Sequence, residues 1–154
     1  MSDPNLAVVD RFYAAFAERD GETMAACYAP SATFTDPVFG TLDARDAGDM
    51  WRMLTGRAPD LRVEVPSRSV DGDRGSARWI ARYTFSASGR SVVNDVQASF
   101  AFADGLIAEH IDRFSFWHWS RQALGPAGLA LGWTPVLRAK VRGQALGSLR
   151  AFQA

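Results

Sequence analysis

The spacing of apolar residues divides the chain into a helical opening, a run of strands and a helical tail. Leu6, Val9, Phe12, Tyr13 and Phe16 recur every three or four positions behind Asp3-Pro4, which predicts a first helix to about Arg19. Asp20-Gly21-Glu22 restarts a second, with Met24, Cys27 and Tyr28 on its apolar side and Pro30 as its stop. Ala32-Thr33-Phe34-Thr35-Asp36 alternates as a short strand that Pro37 ends. A third helix runs from Asp43 or Asp46 through Ala47, Met50, Trp51 and Leu54 to Gly56.

Strands follow over 61–70, 76–87, 91–103 and 105–114, separated by Asp71-Gly72-Asp73-Arg74-Gly75, Ser88-Gly89 and Asp104-Gly105. In the third of these, Val92, Val96, Ala98, Phe100 and Phe102 fall on one face and Asp95, Gln97 and Ser99 on the other. In the fourth, His110, Asp112 and Phe114 share a face, an imidazole two residues from a carboxylate on an otherwise apolar strand. Arg78 and Arg82 share the outer face of the second strand, where Asp95 or Glu109 can pair with them. Helices followed by a meander predict an α+β fold, with helices on one face of a curved, mainly antiparallel sheet. Beyond Trp117-His118-Trp119, Arg121-Gln122-Ala123-Leu124 stops at Gly125-Pro126, residues 128–131 are apolar, and Thr134-Pro135 caps a last helix to about Phe152.

Composition narrows the picture. The 154 residues suit one domain, read here as a main body over 1–117 with a basic helical extension of it over 118–154. Seventeen Lys and Arg balance seventeen Asp and Glu, so nothing global points to nucleic acid. No acid follows Asp112, whereas Arg113, Arg121, Arg138, Lys140, Arg142 and Arg150 do. Such a tail can cover a cavity mouth, pack across a dimer or rest on an anionic membrane surface, and Gly143 and Gly147 favour packing. The lone Cys27 rules out an internal disulfide and reads as a core thiol. With only His110 and His118 available, no metal centre is expected. No basic leader or run of about 20 apolar residues appears, so the expected location is cytoplasmic.

The order of these segments resembles the SnoaL-like, nuclear transport factor 2-like superfamily, which contains ketosteroid isomerase, limonene epoxide hydrolase and the polyketide cyclases. The likeness runs from Leu6 to about Trp117 and takes in Arg19-Asp20-Gly21, Ala32-Thr33-Phe34-Thr35-Asp36-Pro37 and Ile107-Ala108-Glu109-His110-Ile111-Asp112. It implies a conical fold around a deep apolar pocket, in a homodimer. Ala7-Val8-Val9-Asp10-Arg11-Phe12 and Thr35-Asp36-Pro37-Val38 are similar to ketosteroid isomerase, whose catalytic base falls on Asp36. Its oxyanion-hole tyrosine falls on Phe12 and its protonated aspartic acid near Ala98, so both hydrogen-bond donors are lost. In limonene epoxide hydrolase the strand aspartate corresponds to Asp112, but its arginine and second aspartate find no match, with Asn94 facing inward and Asp95 outward.

The expected catalytic group is Asp36, His110 and Asp112, in a pocket lined by Phe12, Tyr13, Phe34, Trp51, Leu54, Val96, Ala98, Phe100 and Phe114. Burial raises a carboxyl toward the range of a general base, and His110 can act as acid or base with Asp112 orienting it. That chemistry fits an isomerase, cyclase or lyase that needs no cofactor and takes a small apolar ligand such as a steroid, terpenoid, polyketide or fatty acid. Water activation of the epoxide-hydrolase kind and a non-catalytic binding or dimerisation module remain alternatives. At the level of residues, Asp36 can equally turn the chain by bonding backbone amides, and His110 with Asp112 can be a satisfied polar pair. Tyr13, Tyr28 and Tyr83 are explained as core, and Trp117, His118 and Trp119 as cement for the tail or a dimer contact.

Overall fold

The computed structural model describes residues 3–154. Two helices, α1 (Pro4–Ala17) and α2 (Gly21–Ala26), precede strands β1 (Tyr28–Asp36) and β2 (Gly40–Asp43). Helix α3 (Ala44–Arg57) leads into β3 (Arg62–Asp71), β4 (Arg74–Phe85), β5 (Arg90–Ala103) and β6 (Leu106–Arg113). The chain ends in α4 (Phe116–Leu124), α5 (Pro126–Leu131) and α6 (Pro135–Gln153). Side-chain caps set most of the helix starts: Asp3, Asp20, Asp43, Ser115 and Thr134 each accept a backbone N–H two or three residues on. Gly125 opens α5 without one.

One six-stranded curved sheet runs in the order β2-β1-β6-β5-β4-β3, antiparallel throughout except where β1 lies parallel to β6. The turn into β6 holds Asp104 and Gly105 at positive φ, the geometry that a two-residue hairpin needs and glycine supplies cheaply. The expected α+β fold, with helices on one side of a mainly antiparallel sheet, is what forms.

The second helix is shorter than its periodicity suggests: it ends at Ala26, and Tyr28 opens β1. Pro30 does not stop a helix here. It sits where the β1–β6 register slips between Tyr28 and Thr33, so its missing N–H falls at an irregularity in the ladder. The four-residue strand β2, which pairs Thr33–Asp36 of β1 with residues 40–43, is an element the pattern did not suggest. Arg78 pairs with Asp95 as expected, but Arg82 reaches Glu64 on β3, not Asp95 or Glu109.

Helix α1 fills the concave side of the sheet with Val8, Val9, Phe12, Tyr13 and Phe16. Phe12, fully buried, sits edge-on to Tyr13, Tyr28, Trp51 and His110, with ring centroids 5.2–5.7 Å away. Truncating such a ring to alanine costs about 3–5 kcal/mol, so Phe12 is a keystone of the packing. The tail closes the other flank: α4 packs on β5, and α6 on α3. Gly128 makes the α4–α5 corner possible, because a β-carbon there would lie 2.0 Å from the Ser120 carbonyl oxygen. Among the described residues no helix is long and apolar enough to cross a membrane, and no three His, Cys, Asp or Glu side chains gather to hold a metal ion.

Candidate active site

A cavity of about 300 Å³ lies between α3, β4, the end of β6, α4 and α6. Its wall is mostly apolar, with Phe16, Trp51, Trp79, Phe85, Phe114 and Trp119 prominent, and helix α6 contributes Val141, Gln144, Ala145 and Ser148. Two carboxylates open onto it, Asp36 from the end of β1 and Asp112 from β6. Parallel pairing of β1 with β6 brings them to one side of the sheet, Phe34 lying opposite His110 two residues before each.

The two oxygens of Asp36 have different tasks. Oδ1 accepts the backbone N–H groups of Val38 (2.9 Å) and Phe39 (2.6 Å), folding the Pro37 turn into β2. Oδ2 takes no hydrogen bond among the described residues. Burial pushes the pKa of this carboxyl up to about 7; the Asp112 charge adds to the rise, while the two amides and Arg142 oppose it. Arg142 reaches this corner from α6, donating to the carbonyls of Pro37 and Val38 at 3.3 Å. Chain turning and chemistry are therefore compatible in one residue.

Asp112 is held from behind. Its Oδ1 meets His110 Nε2 at 2.8 Å and accepts Trp79 Nε1 at 3.3 Å. His110 Nδ1 lies 2.8 Å from the Tyr28 hydroxyl, which accepts Trp51 Nε1 at 2.9 Å. An indole N–H can only donate, so one direction satisfies every group: Trp51 to Tyr28, Tyr28 to His110 Nδ1, His110 Nε2–H to Asp112. His110 is fully buried and both its nitrogens are spent. This geometry ties His110 to Tyr28 and Asp112 and leaves it off the cavity wall.

Of the pocket-lining residues expected from the sequence, Trp51, Leu54 and Phe114 face the cavity. Phe12, Tyr13, Phe34, Val96, Ala98 and Phe100 do not, because α1 packs against that part of the sheet and leaves no space before them. Among the described residues the buried Tyr13 hydroxyl has no hydrogen-bond partner. Cys27 is a core thiol, its Sγ donating to the Thr23 carbonyl and its pKa raised by burial.

Two residues matter more than their pattern implied. Tyr28 links Trp51 to His110, a role hidden while it is counted on a helix. Tyr83 and Trp119 both line the cavity, and Trp119 Nε1 donates to the Tyr83 hydroxyl at 3.0 Å. Burial raises the Tyr83 pKa, the Trp119 N–H lowers it, and the Asp36 charge raises it again, so hydroxyl and carboxylate feel one another across the cavity. The inward alternation of Trp79, Ala81, Tyr83 and Phe85 was the available signal for Tyr83.

A cup of curved sheet closed by helices, with two carboxylates in an apolar hollow, defines the class to which this fold and site belong. The SnoaL-like domain model matches residues 9–110, and the chain belongs to that family. No curated protein matches it in sequence. Among solved structures it is similar to an NTF2-like protein of unknown function from Burkholderia pseudomallei, with 22% identity over 79% of this chain and 98% of the other, at a TM-score of 0.68. It is also similar to a Jannaschia protein assigned as a SnoaL-like polyketide cyclase (16% identity, 80% and 93% covered, TM-score 0.68). An LEH-like epoxide hydrolase of M. tuberculosis has the same fold (19% identity, 83% and 96% covered, TM-score 0.67).

Proposed function

We propose that the protein is a small-molecule enzyme of the isomerase, cyclase or lyase type, moving a proton on a small apolar ligand with Asp36 as the general base. The observation that carries this reading is the free Oδ2 of Asp36, opening onto an apolar cavity from a carboxyl whose pKa is about 7. A base with that affinity is half ionised at neutral pH and takes a proton strongly enough to matter in a transition state. Asp112, fixed by His110 and Trp79, supplies the second carboxylate, and the side chains need no further group to transfer a proton. The volume of about 300 Å³ falls at the lower end of the range of small-molecule sites, which suits a small apolar ligand.

The test is Asp36→Asn, which keeps an amide-accepting oxygen for the turn and removes the base. Turnover of a ligand found by thermal-shift screening of steroids, terpenoids, polyketides and fatty acids should fall by about 10²–10⁴-fold, with near-UV circular dichroism showing that the fold is kept. Turnover unchanged by the substitution would end the assignment. Water activation is the second reading, favoured by Asn94 and Asp112 both facing the cavity as a neutral and a charged acceptor for one water. In that case Asp112→Asn is the variant that loses activity and Asp36→Asn is not.

A further inference from the structure

Of the seven large apolar side chains that stand exposed among the described residues, four fall within eight consecutive positions. They are Leu129, Leu131, Trp133 and Val136, at the corner where α5 gives way to α6. Trp133 is 70% exposed and Val136 80%. Exposed apolar residues scattered singly need no explanation, but a cluster of this kind marks a contact. The corner has a fixed shape. Gly128 and Gly132 let it lie close against α4, and the indole N–H groups of Trp117 and Trp133 donate to the carbonyls of Leu129 (3.1 Å) and Ala130 (3.0 Å).

Charge of one sign surrounds it. Arg90 and Arg121 line an open depression beside Leu129, Arg90 anchored by the Gln122 carbonyl and Arg121 lying over the Trp117 ring. Arg138 lies over the Phe116 ring, and Lys140 stands exposed further along α6. None of these four cations makes an ion pair among the described residues. No acid follows Asp112, whereas residues 1–112 carry eleven Lys and Arg against seventeen Asp and Glu. The corner also lies beyond residues 9–110, the span that the SnoaL-like domain model matches, so it is no part of what defines the family.

We propose that the α5–α6 corner is a docking surface for an anionic lipid bilayer. Leu129, Leu131, Trp133 and Val136 enter the boundary between headgroups and acyl chains, while Arg90, Arg121, Arg138 and Lys140 meet the lipid phosphates. A bilayer sets an apolar phase and negative charge side by side, which is the complement of this surface. Indole suits that boundary, with an apolar ring and a polar N–H. Each basic side chain held at an anionic surface strengthens partitioning about fivefold. A second copy of this chain fits less well, because a two-fold contact sets the cations of the corner against their own copies. Helix α6, which begins at this corner, lines the cavity with Val141 and Ala145 further along, so an apolar ligand dissolved in the bilayer would meet the protein on a helix that borders its pocket. Docking of this kind does not depend on Asp36 being a base.

The full chain is mixed with vesicles of phosphatidylcholine alone, or of phosphatidylcholine and phosphatidylglycerol two to one, and bound protein is read by co-sedimentation. Wild type should partition at least about tenfold more strongly to the anionic vesicles, with the difference shrinking as salt rises. Trp133→Ser combined with Val136→Ser should lower uptake by anionic vesicles at least about tenfold. Arg138→Glu combined with Lys140→Glu should cost at least about tenfold on anionic vesicles and little on neutral ones. Circular dichroism checks that each variant folds.

Uptake that neither pair of substitutions changes, or that neutral and anionic vesicles share equally, would overturn the lipid assignment. Wild-type protein left in the supernatant at millimolar anionic lipid would do the same. Sedimentation velocity identifies the rival occupant: a wild-type oligomer that Trp133→Ser with Val136→Ser takes apart, without vesicle binding, makes the corner a contact between copies and ends the assignment to lipid.

Discussion

Asp36 spends one oxygen on the backbone and leaves the other to the cavity, and its titration should show in the stability of the whole chain. In the unfolded state its carboxyl titrates near the ordinary value of about 3.9, and in the folded state at about 7. Between those values the folded protein holds the proton more firmly, so this residue's contribution to stability falls as pH rises from 4 to 7. The sign is opposite to that of a salt-bridged carboxylate. Taken whole, the shift is worth on the order of 4 kcal/mol. Asp36→Asn, which cannot ionise, should therefore match wild type closely near pH 4 and become progressively more stable than wild type as pH rises to 8, by urea unfolding. A stability difference that stays flat across that range would show that the carboxyl ionises as it does in water. The sequence makes Asp36 visible through the resemblance, which carries a catalytic base onto it, since aspartate before proline by itself reads equally well as a chain turn. It hides Tyr28 and Tyr83, whose roles depend on which indole meets which hydroxyl, and those partners lie 23 and 36 residues away.

At the scale of elements, α6 is tied only loosely to the core. Of its nineteen residues only Val141 and Leu149 are buried. Its other anchors are polar: Arg142 on the Pro37 and Val38 carbonyls, Arg150 on Asp46, and Gln153 on Asp46 and Asp49. An exposed ion pair of this sort contributes roughly 0–1 kcal/mol, and Gly143 and Gly147 each cost the helix about 1 kcal/mol against alanine. Amides of α6 should exchange with solvent at least about 100-fold faster than those of β5, since a weakly packed helix opens without global unfolding. Equal protection of the two would mean that α6 belongs to the same cooperative unit as the sheet. Helix starts were legible because Asp3, Asp20 and Thr134 announce them as caps. The end of α2 was not, because a proline that breaks a helix and a proline that sits in a strand irregularity look alike in one dimension.

For the molecule as a whole, the order of helices and strands was enough to anticipate the fold, while the position of the hollow was not. Which face of the sheet is inward can be read from alternation. Whether a helix fills the space in front of it depends on packing among residues far apart in the chain. Here α1 occupies the front of β5, and the cavity is displaced toward β4, α3, α4 and α6.

The relay behind Asp112 begins at an indole, and that origin makes the protein interior a dead end. Nothing that arrives at Asp112 can travel backwards through His110 and Tyr28 to the solvent, because Trp51 has no lone pair to receive it. A hydrogen lifted from a bound molecule must go back onto that molecule or leave by the mouth through which the molecule came. Deuterium placed at the carbon facing Asp36 should consequently survive turnover in the product at least in part, as mass spectrometry would record, and its complete loss would mean that the mouth exchanges with solvent faster than the hydrogen is returned.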